Sequence, residues 1–384
     1  MQVFAFHLMP YPALPEDFPQ RYGPPWVKLP NTLYDPKVGE QVYEQALAEF
    51  AQADALGFDG VCVNEHHQTA YGTMPSPNLM AAALTRVTQR AKIAVLGNAL
   101  PLRGNPLRVA EEIAMLDVLS HGRIISGFVR GIGAEYHSFG VNPAFSHDRF
   151  HEAHDLIVAA WTRPGPFRWD GRHYQFPYVN PWPRPVQTPH PPIWIPSQGS
   201  RETIRWAAER RYTYLQTFSP IEHVERYMRL YWQVCEEEFG YTPAFGQLGW
   251  AIPIFVGRTD EEARALAKPH IEYFYERLLV MPTEYFFPPG YLSPQSMAGV
   301  LQAKRGLTEG GAANSIDALI AAGRFVCGSA KTVFEKLAET SQRLRIGVLT
   351  GMFQFATLPH ALAMENLLRF ADEVKPRLEA INRD

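Results

Sequence analysis

The sequence predicts an α/β fold, a (β/α)8 TIM barrel carrying insertions. Short β-rich runs alternate with amphipathic helical stretches from one end of the chain to the other, the pattern of a parallel sheet built from βαβ units. Eight such strands fall within 384 residues, a number of repeats that favours a closed barrel over a doubly wound open sheet. No second compositional regime interrupts them, so residues 1–384 are read as one domain.

Val3 to Phe6 is the first strand. The Pro-rich stretch from Pro10 to Pro36 reads as a long ordered surface loop, because its prolines fix φ and remove donors. Glu40 to Leu56 places Val42, Ala46, Leu47, Phe50 and Ala53 on one helical face and stops at Gly57. Gly60 to Val63 then reads as a buried strand, Pro77 to Gln89 as a helix and Lys92 to Leu96 as a strand. Pro106 opens a helix to Leu119, Arg123 to Phe128 is a strand, and Ser146 to Trp161 is a helix. Strands at Pro192–Pro196, Thr213–Gln216 and Trp250–Val256 alternate with helices at Ser200–Arg210, Ile221–Phe239 and Asp260 toward Leu279. Residues 281–322 break the alternation and read as an insertion able to cover a site. A helix at Phe334–Leu344, a strand at Val348–Phe355 and a helix at His360–Val374 close the pattern.

Composition narrows function. Lys plus Arg number 36 against 39 Asp plus Glu, a net charge of −3 with no basic run, which argues against nucleic acid and anionic membrane as partners. No apolar run approaches the ~20 residues that span a bilayer. Cys62, Cys235 and Cys327 are too few and too scattered for a disulfide framework or a zinc site, so a reducing, cytoplasmic setting is expected. The N-terminal segment, interrupted by His7, Pro10 and Pro12, reads as a first strand and not as a signal peptide.

In a barrel of this type the chemistry sits at the C-terminal ends of the strands. Asn64-Glu65-His66-His67 follows the second strand, and adjacent side chains on a strand face opposite ways, so at most one histidine should enter a site there. Gly97-Asn98 follows the third strand, where a glycine permits close approach of backbone to a flat group, or simply turns the chain. Arg130, between glycines after the fourth strand, could reach a phosphate or carboxylate, although no complete dinucleotide fingerprint accompanies it. Gly199-Ser200 leads into a helix whose N-terminal N–H groups suit a phosphate, or form an ordinary Ser cap.

Taken in order, these segments resemble the bacterial luciferase family of flavin-dependent monooxygenases. The resemblance rests on Glu65-His66-His67, on Asn105 to Glu112 with Leu116-Asp117 and Ser120 to Arg123, on Gly127 to Gly131 with Phe139-Gly140, on Pro191 to Trp194 leading into Ser200, and on Gly328 to Val333. It implies a barrel that binds FMN at its C-terminal mouth, with reduced flavin supplied by a separate NAD(P)H-dependent reductase and dioxygen as co-substrate. It further implies that His66 serves as a base or proton donor beside the flavin, that Arg130 meets the flavin phosphate together with Gly199, Ser200 and Thr203, and that Leu96-Gly97 forms a non-prolyl cis peptide beneath the ring. Val129 stands where luciferase has a reactive cysteine, so nothing that depends on a thiol is carried over. His7, Tyr136 and His137, near the same mouth, are further candidates for the catalytic site, and Asn98 joins Gly97 as a cofactor-side candidate. Aromatic residues at strand ends and loops, among them Trp26, Phe128, Trp194, Phe218 and Phe353, are candidates for an apolar wall that excludes water. A hydrophobic or medium-sized organic substrate is expected, and the helix Arg108–Leu119 carries enough apolar residues to pair two copies as a homodimer.

Three other readings remain open on the residues alone. A deazaflavin-dependent hydride-transfer enzyme would use the same phosphate turn. A metal-dependent barrel hydrolase could use Glu65, His66 and others of the 13 histidines, although no HxH pair shares a strand face. A non-catalytic flavin carrier would keep the pocket without turnover.

Overall fold

A computed structural model describes residues 1–292 and 312–381. Part of the expected insertion, residues 293–311, lies outside the described residues. Eight parallel strands close a barrel: β1 (Gln2–Phe6), β2 (Gly60–Val63), β3 (Lys92–Ala99), β4 (Ile124–Val129), β7 (Ile193–Ser197), β8 (Thr213–Thr217), β9 (Leu248–Gly257) and β11 (Val348–Met352), with β8 pairing to β9 to complete the ring. The numbers omitted belong to two strands of an antiparallel hairpin, β5 (Phe167–Asp170) and β6 (Gln175–Val179), and to β10 (Val326–Ser329).

Strand β9 is ten residues long and buried throughout. Leu248 to Ala251 pair with β8, whereas Ile254 to Gly257 pair with β10, so the second half of β9 acquires a neighbour of its own. Asp260 clasps this arrangement. Its carboxylate accepts from the Ser329 backbone N–H at 2.6 Å and from the Thr332 hydroxyl at 3.0 Å, fastening the start of the helix after β9 to the end of β10. Those hydrogen bonds hold the carboxyl below its usual range.

Helices cover the outside. Proline opens two of them, α2 (Pro36–Ala55) and α3 (Pro77–Val87), where its missing N–H would have been unpaired in any case. Pro106 caps α4 (Leu107–Leu119). The Pro-rich loop departs from expectation in holding a five-residue helix, α1 (Phe18–Tyr22); Pro19 sits within its first turn, the place a helix tolerates it. A short helix absent from the sequence reading, α5 (Gly133–Phe139), follows β4, and α6 (Ser146–Thr162) follows that. After β7 comes α7 (Arg201–Glu209), then α8 (Ile221–Gln233) after β8 and α9 (Asp260–Tyr273) after β9. No helix among the described residues is long and apolar enough to cross a membrane.

Most of the core falls into two shells, beside a small third cluster of Ala99, Leu102 and Tyr136. One, including Val3, Val61, Ile93 and Ile124, packs strands against helices; the other, including Phe4, Cys62, Ala94, Ile125 and Leu215, fills the barrel interior. The alternation along each strand produces both, and it leaves the C-terminal mouth as the place where the interior opens.

Candidate active site

A cavity of about 1460 Å³ opens at the C-terminal mouth, bordered by the ends of β1, β2, β3, β4, β7, β8 and β9. At one part of its wall, β3 and β4 approach closely around a cis Leu96–Gly97 peptide. A Cβ on Gly97 would lie 2.5 Å from the Gly127 carbonyl oxygen, so only glycine fits, and it presents bare backbone to the cavity.

Arg130 enters from the end of β4. Its Nη1 donates to the Tyr291 carbonyl oxygen at 3.2 Å and to Ser146 Oγ at 3.4 Å, and the guanidinium lies 4.4 Å from the centre of the Tyr291 ring. No carboxylate among the described residues pairs with it. Nearby stands the N-terminus of α7, where Ser200 accepts from the Thr203 N–H at 3.1 Å. Gly199 precedes it at φ +102°, and a Cβ there would meet the Tyr227 ring at 2.2 Å. A guanidinium with no carboxylate partner and a Ser-capped helix N-terminus, with backbone bare at the approach, are groups of the chemistry that receives a phosphate.

Two histidines of α6 complete this wall. His147 and His151, one helical turn apart, place their Nε2 atoms 3.2 Å from each other. Burial lowers the pKa of both; Arg130 adds to the effect at His147, and His147 itself adds to it at His151, which falls to about 4.

His66 occupies a second part of the cavity. Its Nδ1 lies 3.1 Å from Glu135 Oε1, and its ring packs edge-on against Trp26 and Tyr71 at centroid distances of 5.7 and 5.0 Å. Glu135 is 1% exposed, and its other oxygen accepts the Ile132 N–H at 2.7 Å. The carboxylate therefore fixes an Nδ1–H tautomer of His66 and turns the Nε2 lone pair away from itself. Asn64, 4% exposed and also bordering the cavity, has neither amide atom satisfied among the described residues.

The remaining candidates lie elsewhere. His7 does not line the cavity; its Nδ1 accepts the Met9 N–H at 2.8 Å and its Nε2 meets Glu49 at 3.0 Å, in a bridge that His360 completes on the other oxygen at 2.7 Å. Tyr136 is buried behind Arg130, donating to its carbonyl oxygen and packing against Tyr291. His137 is exposed on α5, against Tyr285. Asn98 exchanges amide hydrogen bonds with Asn78 at 3.0 and 3.2 Å, facing the helix layer. His67 also points away, bound to Glu65, which Arg103 holds at 2.5 Å. Of the aromatic candidates, Trp26, Phe128 and Phe218 line the cavity; Trp194 packs on Phe4 in the barrel interior, and Phe353 packs on Phe58 and Phe370. Among the described residues no group of three or more His, Cys, Asp or Glu side chains is arranged to hold a metal.

Comparison with known proteins is decisive for the family: the profile described as luciferase-like monooxygenase matches residues 27–346. The chain belongs to the luciferase-like monooxygenase family. Over 370 residues it is 25% identical to 2,5-diketocamphane 1,2-monooxygenase 2 of Pseudomonas putida, covering 89% of this chain and 96% of that one. It is 29% identical over 164 residues to the oxygenase component of a flavin-dependent trigonelline monooxygenase of Acinetobacter baylyi, 42% of this chain and 45% of that one. With that protein and two others, an uncharacterised Sinorhizobium fredii protein and a Kryptophanaron alfredi symbiont alkanal monooxygenase alpha chain, the matched region spans about half of the relative's length. Solved structures share the fold. Monooxygenase RslO1 of Streptomyces bottropensis superposes with a TM-score of 0.74 at 20% identity, covering 98% of this chain and 99% of that one. The oxygenating constituent of 3,6-diketocamphane monooxygenase from Pseudomonas putida, solved with FMN, gives 0.71 at 21% identity with 98% of each chain covered.

Within this luciferase-like barrel, two features of the site were not singled out from the sequence. Glu135 sits in the third position of a helix too short and glycine-flanked to register as one; an acid there, before Tyr136-His137, was the available signal. His147 and His151 carried an i, i+4 spacing on a correctly placed helix.

Proposed function

We propose that this chain is the oxygenase of an FMN-dependent monooxygenase system, acting with dioxygen on a hydrophobic or medium-sized organic substrate and receiving reduced flavin from a separate NAD(P)H-dependent reductase. One observation carries the proposal: a single cavity joins a phosphate cradle made by Arg130, Gly199, Ser200 and Thr203 to the His66–Glu135 pair set among aromatic side chains. The names of the diketocamphane and trigonelline relatives support the same chemistry.

Bound reduced FMN would supply the electrons for dioxygen activation. Arg130 and the α7 N–H groups would hold its phosphate, and the bare backbone at Gly97 would receive a flat ring. His66, oriented by Glu135, is the group placed to take or give a proton through Nε2. Trp26, Tyr71, Phe218 and Leu8 exclude water around it. The chain is read as a single domain; Trp26 of the Pro10–Pro36 stretch and, from the described part of the insertion, Met281, Phe286, Phe287, Tyr291 and Leu292 border the cavity. Three free, buried cysteines fit a reducing cytoplasm. Leu79, Met115 and Val118 are 74, 55 and 41% exposed on the adjacent helices α3 and α4, the face through which two copies would pair.

Anaerobic titration with reduced FMN, followed by stopped-flow mixing with aerated buffer, tests the reading. A resolved spectral transient between reduced and oxidised flavin supports oxygenase chemistry. Tight binding with plain reoxidation favours the carrier reading, preferential binding of deazaflavin favours hydride transfer, and absence of binding refutes the flavin site.

A further inference from the structure

Several arginines besides Arg130 border the cavity, and one of them, Arg324, stands among aromatic side chains away from the phosphate cradle. Arg324 lies just before β10 and lines the cavity. Its guanidinium is 4.3 Å from the centre of the Tyr275 ring, and the Tyr275 hydroxyl returns a hydrogen bond to the Arg324 carbonyl oxygen at 2.9 Å. The backbone is fixed as well, with the Arg324 N–H donating to Leu319 at 2.9 Å. Among the described residues no carboxylate pairs with this guanidinium, and its Nε is buried without a partner. The carboxylates that line the cavity are otherwise engaged or apart: Glu65 is held by His67 and Arg103, Glu135 by His66 and Ile132, and Glu276 makes no ion pair with Arg324.

The neighbourhood is that of His66 and not that of Arg130. Tyr275 is close enough to Tyr71 for the two hydroxyls to influence one another, and Tyr71 packs on His66 at 5.0 Å. Around them Phe274 stacks on Tyr71 at 5.7 Å and faces Phe218 at 6.5 Å. Two aromatic side chains, Tyr275 and Tyr71, thus lie between Arg324 and the group placed to move a proton, and both ends of this series border the cavity.

We propose that Arg324 anchors the substrate and that the substrate is an organic carboxylate with an apolar or aromatic body. A guanidinium with no carboxylate partner, its Nε closed off, offers its terminal edge, Nη1 and Nη2, and two N–H groups there match the two oxygens of a carboxylate. Aromatic side chains around the cation suit the carbon skeleton behind the carboxylate. This inference rests on the reading of the His66 cavity as the active site, and it narrows the substrate class from hydrophobic compounds in general to those carrying one negative charge.

The test uses benzoate and phenylacetate, each paired with its primary amide, titrated by ligand-observed NMR against the full chain with and without saturating FMN. The acids are expected to bind at least about tenfold more tightly than their amides. In Arg324→Met the preference falls to within about twofold, while FMN affinity is unchanged; Arg324→Lys, which keeps the charge but loses the planar two-pronged edge, retains part of it. Equal affinity for acid and amide, no binding of either acid, or a preference that survives Arg324→Met overturns the proposal. Loss of FMN binding in the wild type would instead refute the flavin reading, so the two failures are distinguishable.

Discussion

The pair His147 and His151 makes the stability of this protein depend on pH in a defined direction. Burial, then repulsion from His147, Arg210 and His154, outweighs the attraction of Asp155 and brings the folded pKa of His151 from 6.5 to about 4. Between those values the unfolded chain binds a proton that the folded chain refuses, so stability is intact above pH 6.5 and is lost as the pH falls toward 4. Integrated from pH 7 to pH 5, this linkage is about 2 kcal/mol. Because the ring borders an open cavity, solvent screening reduces it to about 1 kcal/mol. Facing charges that modulate the pair are Arg130, Asp148 and Glu202 around His147. The perturbation is His151→Phe, which keeps a ring and removes the titration. Urea unfolding of both proteins at pH 7 and pH 5 should show the wild type losing about 1 kcal/mol more than the variant. His147 and His154 remain in both proteins and largely cancel in the difference. Equal losses would show that His151 titrates alike in the folded and unfolded chains and would refute the reasoning.

Arg130→Gln should weaken FMN by about 1.5–3 kcal/mol, read by fluorescence titration, and leave riboflavin unaffected; equal losses for both ligands would remove the phosphate assignment. Gly199→Ala must displace the Tyr227 ring while holding a positive φ, and a cost of about 1–3 kcal/mol should appear as a lower urea midpoint and weaker FMN binding. His66→Ala and Glu135→Gln should lower the yield of oxygenated product per reduced FMN consumed with FMN affinity within about threefold of wild type; an unchanged yield in both contradicts the proton-transfer role. Leu79→Arg combined with Met115→Arg should convert a dimer to a monomer by light scattering, and a monomeric wild type would dispose of the pairing face.

The barrel was legible because a parallel strand buried on both faces is an apolar run that little else in a chain resembles. Gly60–Val63 and Ile193–Ser197 show this clearly. What escaped had a local reason. Strand β10 is four residues ending in Gly-Ser, α5 begins at a glycine, and the β5–β6 hairpin lies among prolines. For the site, the barrel's own rule directs attention to strand ends, where His66, Gly97, Arg130 and Gly199 border the cavity. His7, Asn98, Tyr136 and His137 stand at the same ends but face helices, solvent or the backbone behind Arg130, since direction depends on register and helix rotation, which composition does not carry. Likewise the union of His66 with Glu135, across 69 residues of chain, is a product of the closed barrel.

Strand β9 serves two structures at once, the closed barrel and the β10 element added beside it. The two elements that flank residues 281–322 in the sequence are both fastened: α9 at its start, through Asp260 to Ser329, and β10 along the far half of β9. Closure of the barrel depends on β8 and β11 at other residues of the same strand. Lengthening a loop between fixed stations is cheap, about 0.6 kcal/mol for each doubling. The stretch of chain between α9 and β10 can therefore change in length while the strands that close the barrel stay in register.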